Sequence, residues 1–475
     1  MSMSRHRLLV ALLVWTTAAL AHASASDPSS SSPRLLSRAA RMAISRAIGI
    51  DPFFHDATLT TSDGAENDAL GSSVAAFGDT VVVGAPDVAN QRGAVYVFVK
   101  PASGWESTSA YVARLTASDG AAGDLFGSSV AIWGDTVVVG AFAAKVSGRS
   151  EQGAVYVYVK PAAGWTSTAA FDGKLTASDG KAGDNFGFSV AIQDNTVVVG
   201  ALGASDFRGA TYVFDRPASG WQSTSAFSAK LTASDGVSSD VFGSSVAISG
   251  DTIVAGTPGS NGYRGAAYAF VEPVSGWATT STFAAKLTAP DSGSGDYFGS
   301  AVAVSGGTII AGAPVTTVGG HSLQGAAYVY VKPQTGWTST SAFDAMLTAS
   351  DGSGGDLLGN SVAVSNNTVI AGAPRSGRND GSSAAYVFVM PEGGWASTSA
   401  FDARLTSSDP PINDSFGTSV AISGDTAVIG APGATVAHAN QGAAYLFGGF
   451  APPAGPRTRI VAPPAPVIVP VTRNP

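Results

Sequence analysis

The sequence predicts an all-β fold, a seven-bladed β-propeller of four-stranded antiparallel blades. Three observations carry that prediction. A signature beginning Leu-Thr recurs at Leu59, Leu115, Leu175, Leu231, Leu287, Leu347 and Leu405, at spacings of 56 to 60 residues. Between copies, apolar and small residues alternate in short runs separated by Gly, Asn and Asp, the pattern of strands joined by turns. The last copy is also one strand short, and a segment before the first full repeat resembles the missing piece. A period this long, filled with several strands, marks a repeated supersecondary unit of the propeller kind.

Each unit parses in the same order. An inner strand such as GSSVAIS (243–249) leads through a two-residue turn to a second strand, TIVAG (252–256). The turn dipeptides are Gly78-Asp79, Gly134-Asp135, Asp194-Asn195, Gly250-Asp251, Gly306-Gly307, Asn366-Asn367 and Gly424-Asp425. These residue types tolerate the positive φ that tight hairpins demand. A third strand follows, for example GAVYVYVK (153–160). Gly-Trp then opens a segment ending in a fourth strand such as AFDGKLTAS (170–178). The seventh unit stops after GAAYLF (442–447), so FFHDATLTTSD (53–63) is expected to supply the outer strand of the last blade. That closure leaves no unpaired edge between the first and last blades.

The flanks read differently from the repeats. Arg5 and Arg7 precede an apolar run (8–20) and then small residues, the layout of a signal peptide over residues 1–25. Residues 26–52 form a Ser/Pro-rich spacer and a short basic, helix-like segment. The propeller is expected over 53–449, and 450–475 is a Pro-rich tail expected to be disordered or extended. The mature chain is therefore expected to be secreted, extracellular and monomeric. The absence of Cys fits a core large enough to need no disulfides, and removes thiolate nucleophiles from consideration. A net charge of −8 argues against a nucleic-acid partner. No segment past the N-terminus is long and apolar enough to span a bilayer. Asn366 and Asn413 each begin an Asn-x-Ser/Thr tripeptide, a possible glycosylation acceptor in an exported protein.

Two short motifs recur in register. Phe126-Gly127, Phe186-Gly187, Phe242-Gly243, Phe298-Gly299 and Phe416-Gly417 precede the inner strands, with Leu70 and Leu358 replacing Phe. Gly84-Ala85-Pro86, Gly312-Ala313-Pro314, Gly372-Ala373-Pro374 and Gly430-Ala431-Pro432 end second strands. These resemble FG-GAP repeats, the units of the integrin α-subunit propeller and of many extracellular microbial proteins. The resemblance covers residues 53 to about 449 and implies the propeller fold. It also implies calcium loops of the D-x-D-x-D-G type between first and second strands. This chain has only two-residue turns there, so those ligands do not carry over and no cofactor is firmly implied.

Calcium could still meet the loop joining adjacent blades, SDGxxGDxFG. Its first carboxylates are Asp63, Asp119, Asp179, Asp235, Asp291, Asp351 and Asp409; its second are Asp68, Asp124, Asp184, Asp240, Asp296, Asp356 and Asp414. The competing reading is structural: Asp side chains accept backbone N–H groups and hold turns, and recurrence in all seven copies favours that role. The Trp residues likewise read as packing between blades or at blade edges before they read as sugar platforms, and the third-strand Tyr residues read as core.

Variation concentrates in the loops linking second and third strands, whose lengths account for the changes in repeat spacing. Variable loops on a rigid frame are the usual way to build a binding surface. The candidate binding residues there are Arg92, Lys145, Arg149, Arg208, Arg264, His321, Arg375, Arg378 and His438. The chain is thus expected to be a non-catalytic binding or adhesion module for an extracellular protein or polysaccharide. The alternatives are a carbohydrate-active enzyme, lyase or hydrolase, and a purely structural wall or matrix protein. Catalysis finds little support: the predicted mature chain holds three His (His55, His321, His438), and no H-E-x-x-H or G-x-S-x-G motif is present.

Overall fold

In the first blade, Ser73–Phe77 (β2), Thr80–Ala85 (β3), Ala94–Val99 (β4) and Ala113–Leu115 (β5) pair in chain order as an antiparallel sheet. Strand β3, TVVVGA, is buried along nearly its whole length, which is why it reads as a continuous apolar run and not an alternating one. A computed structural model describes residues 53–375, 383–407 and 414–450. The expected signal peptide, spacer, basic segment and tail lie outside the described residues, as do Arg378, Asp409 and Asn413. Strands β6–β25 repeat the plan five more times over residues 129–405, giving blades two to six.

The ring closes as the sequence predicts. Phe54–Leu59 (β1) forms the outer strand of the seventh blade, whose sheet order is β1, β28 (Ala443–Gly448), β27 (Thr426–Ala431) and β26 (Ser419–Ser423). The register pairs Thr58 with Tyr445 and Leu59 with Ala444, after a bulge between His55 and Ala57. Each innermost strand lies against the next one around the ring, with β2 against β26. Every predicted hairpin turn begins with a positive φ, at Gly78, Gly134, Asp194, Gly250, Gly306, Asn366 and Gly424.

The core sits between blades. One cluster joins Val95, Val97, Ala113 and Leu115 of blade one to Phe126, Val137, Val139, Tyr156 and Trp165 of blade two. Trp165 is therefore packing between neighbours, and Trp221 and Trp337 are buried in the same manner in blades three and five. The Phe of the repeated Phe-Gly packs edge-on against the third-strand Tyr, with ring centroids 5.5 Å apart for Phe126 and Tyr156. Its Gly has a separate task. A Cβ on Gly84, at the end of β3, would fall on the carbonyl oxygen of Gly127 in the next blade. Gly127 itself needs φ of +89°. The two glycines thus mark the place where neighbouring backbones touch, which explains why both motifs recur together. Beside this contact Ser73 Oγ donates to the Gly127 carbonyl at 2.7 Å, and Ser419 makes the same bond to Gly71 across the closure, at 2.8 Å.

Candidate functional site: the paired loops of one face

The blade-joining loops and the second-to-third-strand loops share one face, held together by backbone hydrogen bonds. Leu125 N–H donates to the Gln91 carbonyl at 2.9 Å, Asn185 to Glu151 at 3.0 Å, Val241 to Phe207 at 2.9 Å and Tyr297 to Tyr263 at 3.0 Å. Leu357 to Leu323 (3.0 Å) and Ala69 to Asn440 (3.1 Å) continue the series. All twelve residues have φ between +51° and +64°. Six blade junctions among the described residues therefore present a pair of left-handed residues, a conformation that Asn and Gly accept readily and bulky side chains resist.

Loop length selects how the first member is delivered. The three shortest loops form left-handed turns with three consecutive positive-φ residues: Ala89-Asn90-Gln91, Ser205-Asp206-Phe207 and Asn261-Gly262-Tyr263. The two longest instead close through small antiparallel bridges, Val146 with Arg149 and Val318 with His321.

Within the blade-joining loop the two aspartates do different work. The second accepts the backbone N–H three residues earlier: Asp68 from Ala65 (2.7 Å), Asp124 from Ala121 (2.8 Å), Asp184 from Lys181 (2.8 Å), Asp240 from Val237 (2.9 Å), Asp296 from Gly293 (2.7 Å) and Asp356 from Ser353 (2.7 Å). Asp414 departs from the series and accepts from the hydroxyls of Ser383 and Ser407. Burial pushes the Asp68 and Asp184 carboxyls up, against the lowering effect of those N–H bonds.

The first aspartate reaches into the following blade. Asp119 accepts from Tyr156 Oη at 3.0 Å and from Lys174 Nζ at 2.6 Å. Asp179 does so with Tyr212 and Lys230, and Asp235 with Tyr268 and Lys286, at the same distances. Tyr and Lys are register partners on the third and fourth strands, and Lys174 Nζ also lies 5.0 Å from the Tyr156 ring centroid. Burial alone would raise the Asp179 and Asp235 carboxyls, but the lysine and tyrosine bonds outweigh it and hold both below the ordinary value. Asp63 stands 3.7 Å from Arg114 and Asp351 3.8 Å from Arg404 in the equivalent places. In blade five Met346 occupies the cation's position, and Asp291 keeps only Tyr328, at 3.3 Å. The third-strand tyrosines are thus core rings with a polar assignment, their hydroxyls pushed far up chiefly by burial.

The cations that face these aspartates are not those of the variable loops. The partners are fourth-strand Lys and Arg, signalled by the basic residue between Ala or Gly and Leu in GKL, AKL and ARL. Arg92, Lys145, Arg149, Arg208 and Arg264 are exposed on the loops and make no ion pair among the described residues; Arg375 is also exposed. His321 and His438 are exposed in the loops of blades five and seven, with no ring contact between them. His321 belongs to the bridged loop tip, and His438 N–H donates to Gln441 Oε1 at 3.3 Å. Asn366 lies at the opposite end of blade six, exposed in the turn between its first two strands. Among the described residues no group of three or more His, Asp or Glu is placed to hold a metal, and no helix is long and apolar enough to cross a membrane.

The FG-GAP repeat model matches the chain seven times, at residues 53–98, 110–158, 170–214, 226–270, 282–330, 342–388 and 400–447. The chain belongs to the FG-GAP repeat family. Each match begins with the outer strand of one blade and ends with the third strand of the next, the first taking in the closing strand β1. A comparison with curated proteins finds no match. Among solved structures, the Dos1 propeller is similar at 13% identity, with a TM-score of 0.42 over 78% of this chain and 75% of that one.

The residues that the sequence reading missed are aromatic. Phe207 is 50% exposed, Tyr263 46% and Tyr297 37%, and together with Ser239, Val241, Pro258 and Gly259 they line an open cavity of about 250 Å³. The Tyr263 and Tyr297 rings stand 5.5 Å apart. Phe142 and Phe188 form another ring pair on this face, at 5.3 Å. The available signal was an aromatic residue where the other copies carry none: Tyr297 stands where they carry Ala69, Leu125, Asn185, Val241, Leu357 and Ser415, and Phe188 where they carry Ser, Asn360 or Thr418.

Proposed function

We propose that this FG-GAP propeller is a secreted, non-catalytic binding module that recognises an extracellular protein or polysaccharide through the face carrying its paired loops. One observation carries the reading. Three adjacent left-handed pairs, Phe207/Val241, Tyr263/Tyr297 and Leu323/Leu357, present apolar side chains, whereas Glu151/Asn185 in blade two is polar. Neither backbone preference nor burial accounts for a large ring in these positions. Local rules broken without a packing gain point to function. Rigid aromatic anchors on a polar rim are also the composition of binding hot spots.

The test is competition on one face. A variant with Phe207, Tyr263 and Leu323 changed to Ser should keep the wild-type melting temperature and lose saturable binding to extracellular ligands of its source. Binding unchanged in that variant, but lost on substituting the opposite-face turns, would sink the reading. The export step rests on the charge and hydropathy of residues 1–25. N-terminal sequencing of the secreted protein should find a chain beginning near residue 26.

A further inference from the structure

The cavity between the loops of blades three, four and five has a chemistry of its own. Resting on the reading of this face as a binding surface, we propose that it is a subsite for one ring of a neutral glycan. The lining residues, Phe207, Ser239, Val241, Pro258, Gly259, Tyr263 and Tyr297, include no charged side chain. An ionic ligand would leave water there without compensation, so the occupant is neutral. Three aromatic rings supply flat apolar walls of the kind that pack against the C–H face of a pyranose.

The hydroxyls add the polar half of the argument. In the core, Tyr156, Tyr212 and Tyr268 each donate to an aspartate at 3.0 Å. Tyr263 and Tyr297 have no such partner among the described residues, while their backbones are tied together. Their phenols therefore remain available beside an apolar wall, matching a ligand that carries hydroxyls around an apolar face. Size agrees as well. A cavity of roughly 150 Å³ takes benzene, and one of about 250 Å³ suits a single six-membered ring with substituents. A Pro-rich peptide is the other ligand that aromatic walls attract, but it lies extended at roughly 3 Å per residue and needs a groove several residues long.

The rings are also held in place before any ligand arrives. Phe207 and Tyr263 close left-handed turns, and Tyr297 is fixed to Tyr263 by its own N–H. Little rotational freedom of the backbone remains to be lost on binding.

The full secreted chain should be titrated calorimetrically with neutral oligosaccharides (β-1,3-glucan, β-1,4-mannan and galactan fragments), with polygalacturonate fragments, and with a VAPPAPVIVP peptide. We expect at least one neutral oligosaccharide to bind saturably. Phe207→Ala and Tyr263→Ala should each weaken it by roughly tenfold or more. Tyr263→Phe and Tyr297→Phe should weaken it by roughly two- to tenfold, the loss of one neutral hydrogen bond, with unchanged melting temperatures. Gln91→Ala, at the equivalent position of blade one, should change nothing. Neutral-glycan binding that ignores all four aromatic substitutions overturns the assignment of this cavity. Peptide or polygalacturonate binding that Phe207→Ala abolishes overturns the ligand class, yet leaves the binding role of the face intact. Silence from every probe overturns the glycan assignment, and the broader role then stands or falls with the Phe207/Tyr263/Leu323 competition experiment on a protein ligand.

Discussion

Two kinds of loop lie side by side on one face of this propeller and obey different rules. The blade-joining loop repeats its residues and its bonds: the second aspartate closes a turn on its own backbone, and the first clamps a Tyr and a cation of the next blade. The loop between second and third strands repeats only the backbone hydrogen bonds by which it meets the neighbouring loop at left-handed φ. Where side chains are committed to the frame, each copy must carry the same ones. Where only the backbone is committed, side chains are free to differ, and Phe207 and Tyr263 stand there, with Tyr297 at the one uncommitted position of the neighbouring repeated loop. Recurrence marks construction, and departure from it marks specificity.

The sharpest way to break that contrast uses two glycines from the same loop. Gly153 opens the third strand of blade two at φ +84°, and a Cβ there would strike the Phe186 carbonyl of the blade-joining loop. Gly148, in the loop tip at φ +86°, faces open space. Gly153→Ala should cost roughly 3–5 kcal/mol, strain and clash together. Gly148→Ala should cost about 1 kcal/mol, for its backbone conformation alone. Chemical denaturation of both variants decides the matter, and equal losses would mean that the loop tip is as fixed as the frame.

Next in size are side chains. Asp124 is 7% exposed and is the acceptor for Ala121 N–H, so Asp124→Ala should cost roughly 1–3 kcal/mol. Phe207→Ala, on the variable side, should stay within about 0.5 kcal/mol in stability. A thermal melt in which Phe207→Ala falls as far as Asp124→Ala would show that the exposed ring is structural.

The same contrast explains what could be read in advance. Blade number, strand order, turn positions and the closing strand were all legible, because each rests on a pattern written seven times or on a piece missing once. The Tyr–Asp–Lys clamp was half legible: Tyr156 and Asp119 recur, yet their meeting depends on a loop folding onto the next blade, and periodicity within one blade cannot show that. Charge drew attention to Arg92 and Lys145, since charged loop residues are conspicuous in sequence. Phe207 and Tyr297 resembled ordinary core residues, because aromatic side chains signal burial until a backbone places them outside.

A smaller effect separates the two aspartates of one loop. The Asp179 carboxyl lies below its unfolded value, so its contribution is present above the ordinary 3.8 and is lost as pH falls through the folded-state value. The Asp184 carboxyl lies above its unfolded value. The folded state then holds that proton more tightly, and the cost of its charged form at neutral pH is relieved on acidification. At pH 7, Asp179→Asn should lower stability by about 0.5–1 kcal/mol, the worth of an exposed pair, and the difference should close well below pH 3.8. Asp184→Asn keeps an acceptor for Lys181 N–H and should raise the pH 7 melting temperature slightly. Parallel losses in both variants would contradict the division of labour.

Calcium should produce the smallest change of all. The ion takes six or more oxygen ligands, and at each described blade-joining loop the carboxylates already have hydrogen-bond donors or cations. Binding at Asp119 and Asp124 would have to displace Lys174 from a 2.6 Å contact and release the Ala121 N–H. The melting temperature of the full chain should therefore be the same in millimolar calcium and in chelator. A rise of several degrees with calcium would mean that the clamps open to exchange lysine for metal. The repeated loops, not the variable ones, would then hold the regulated sites.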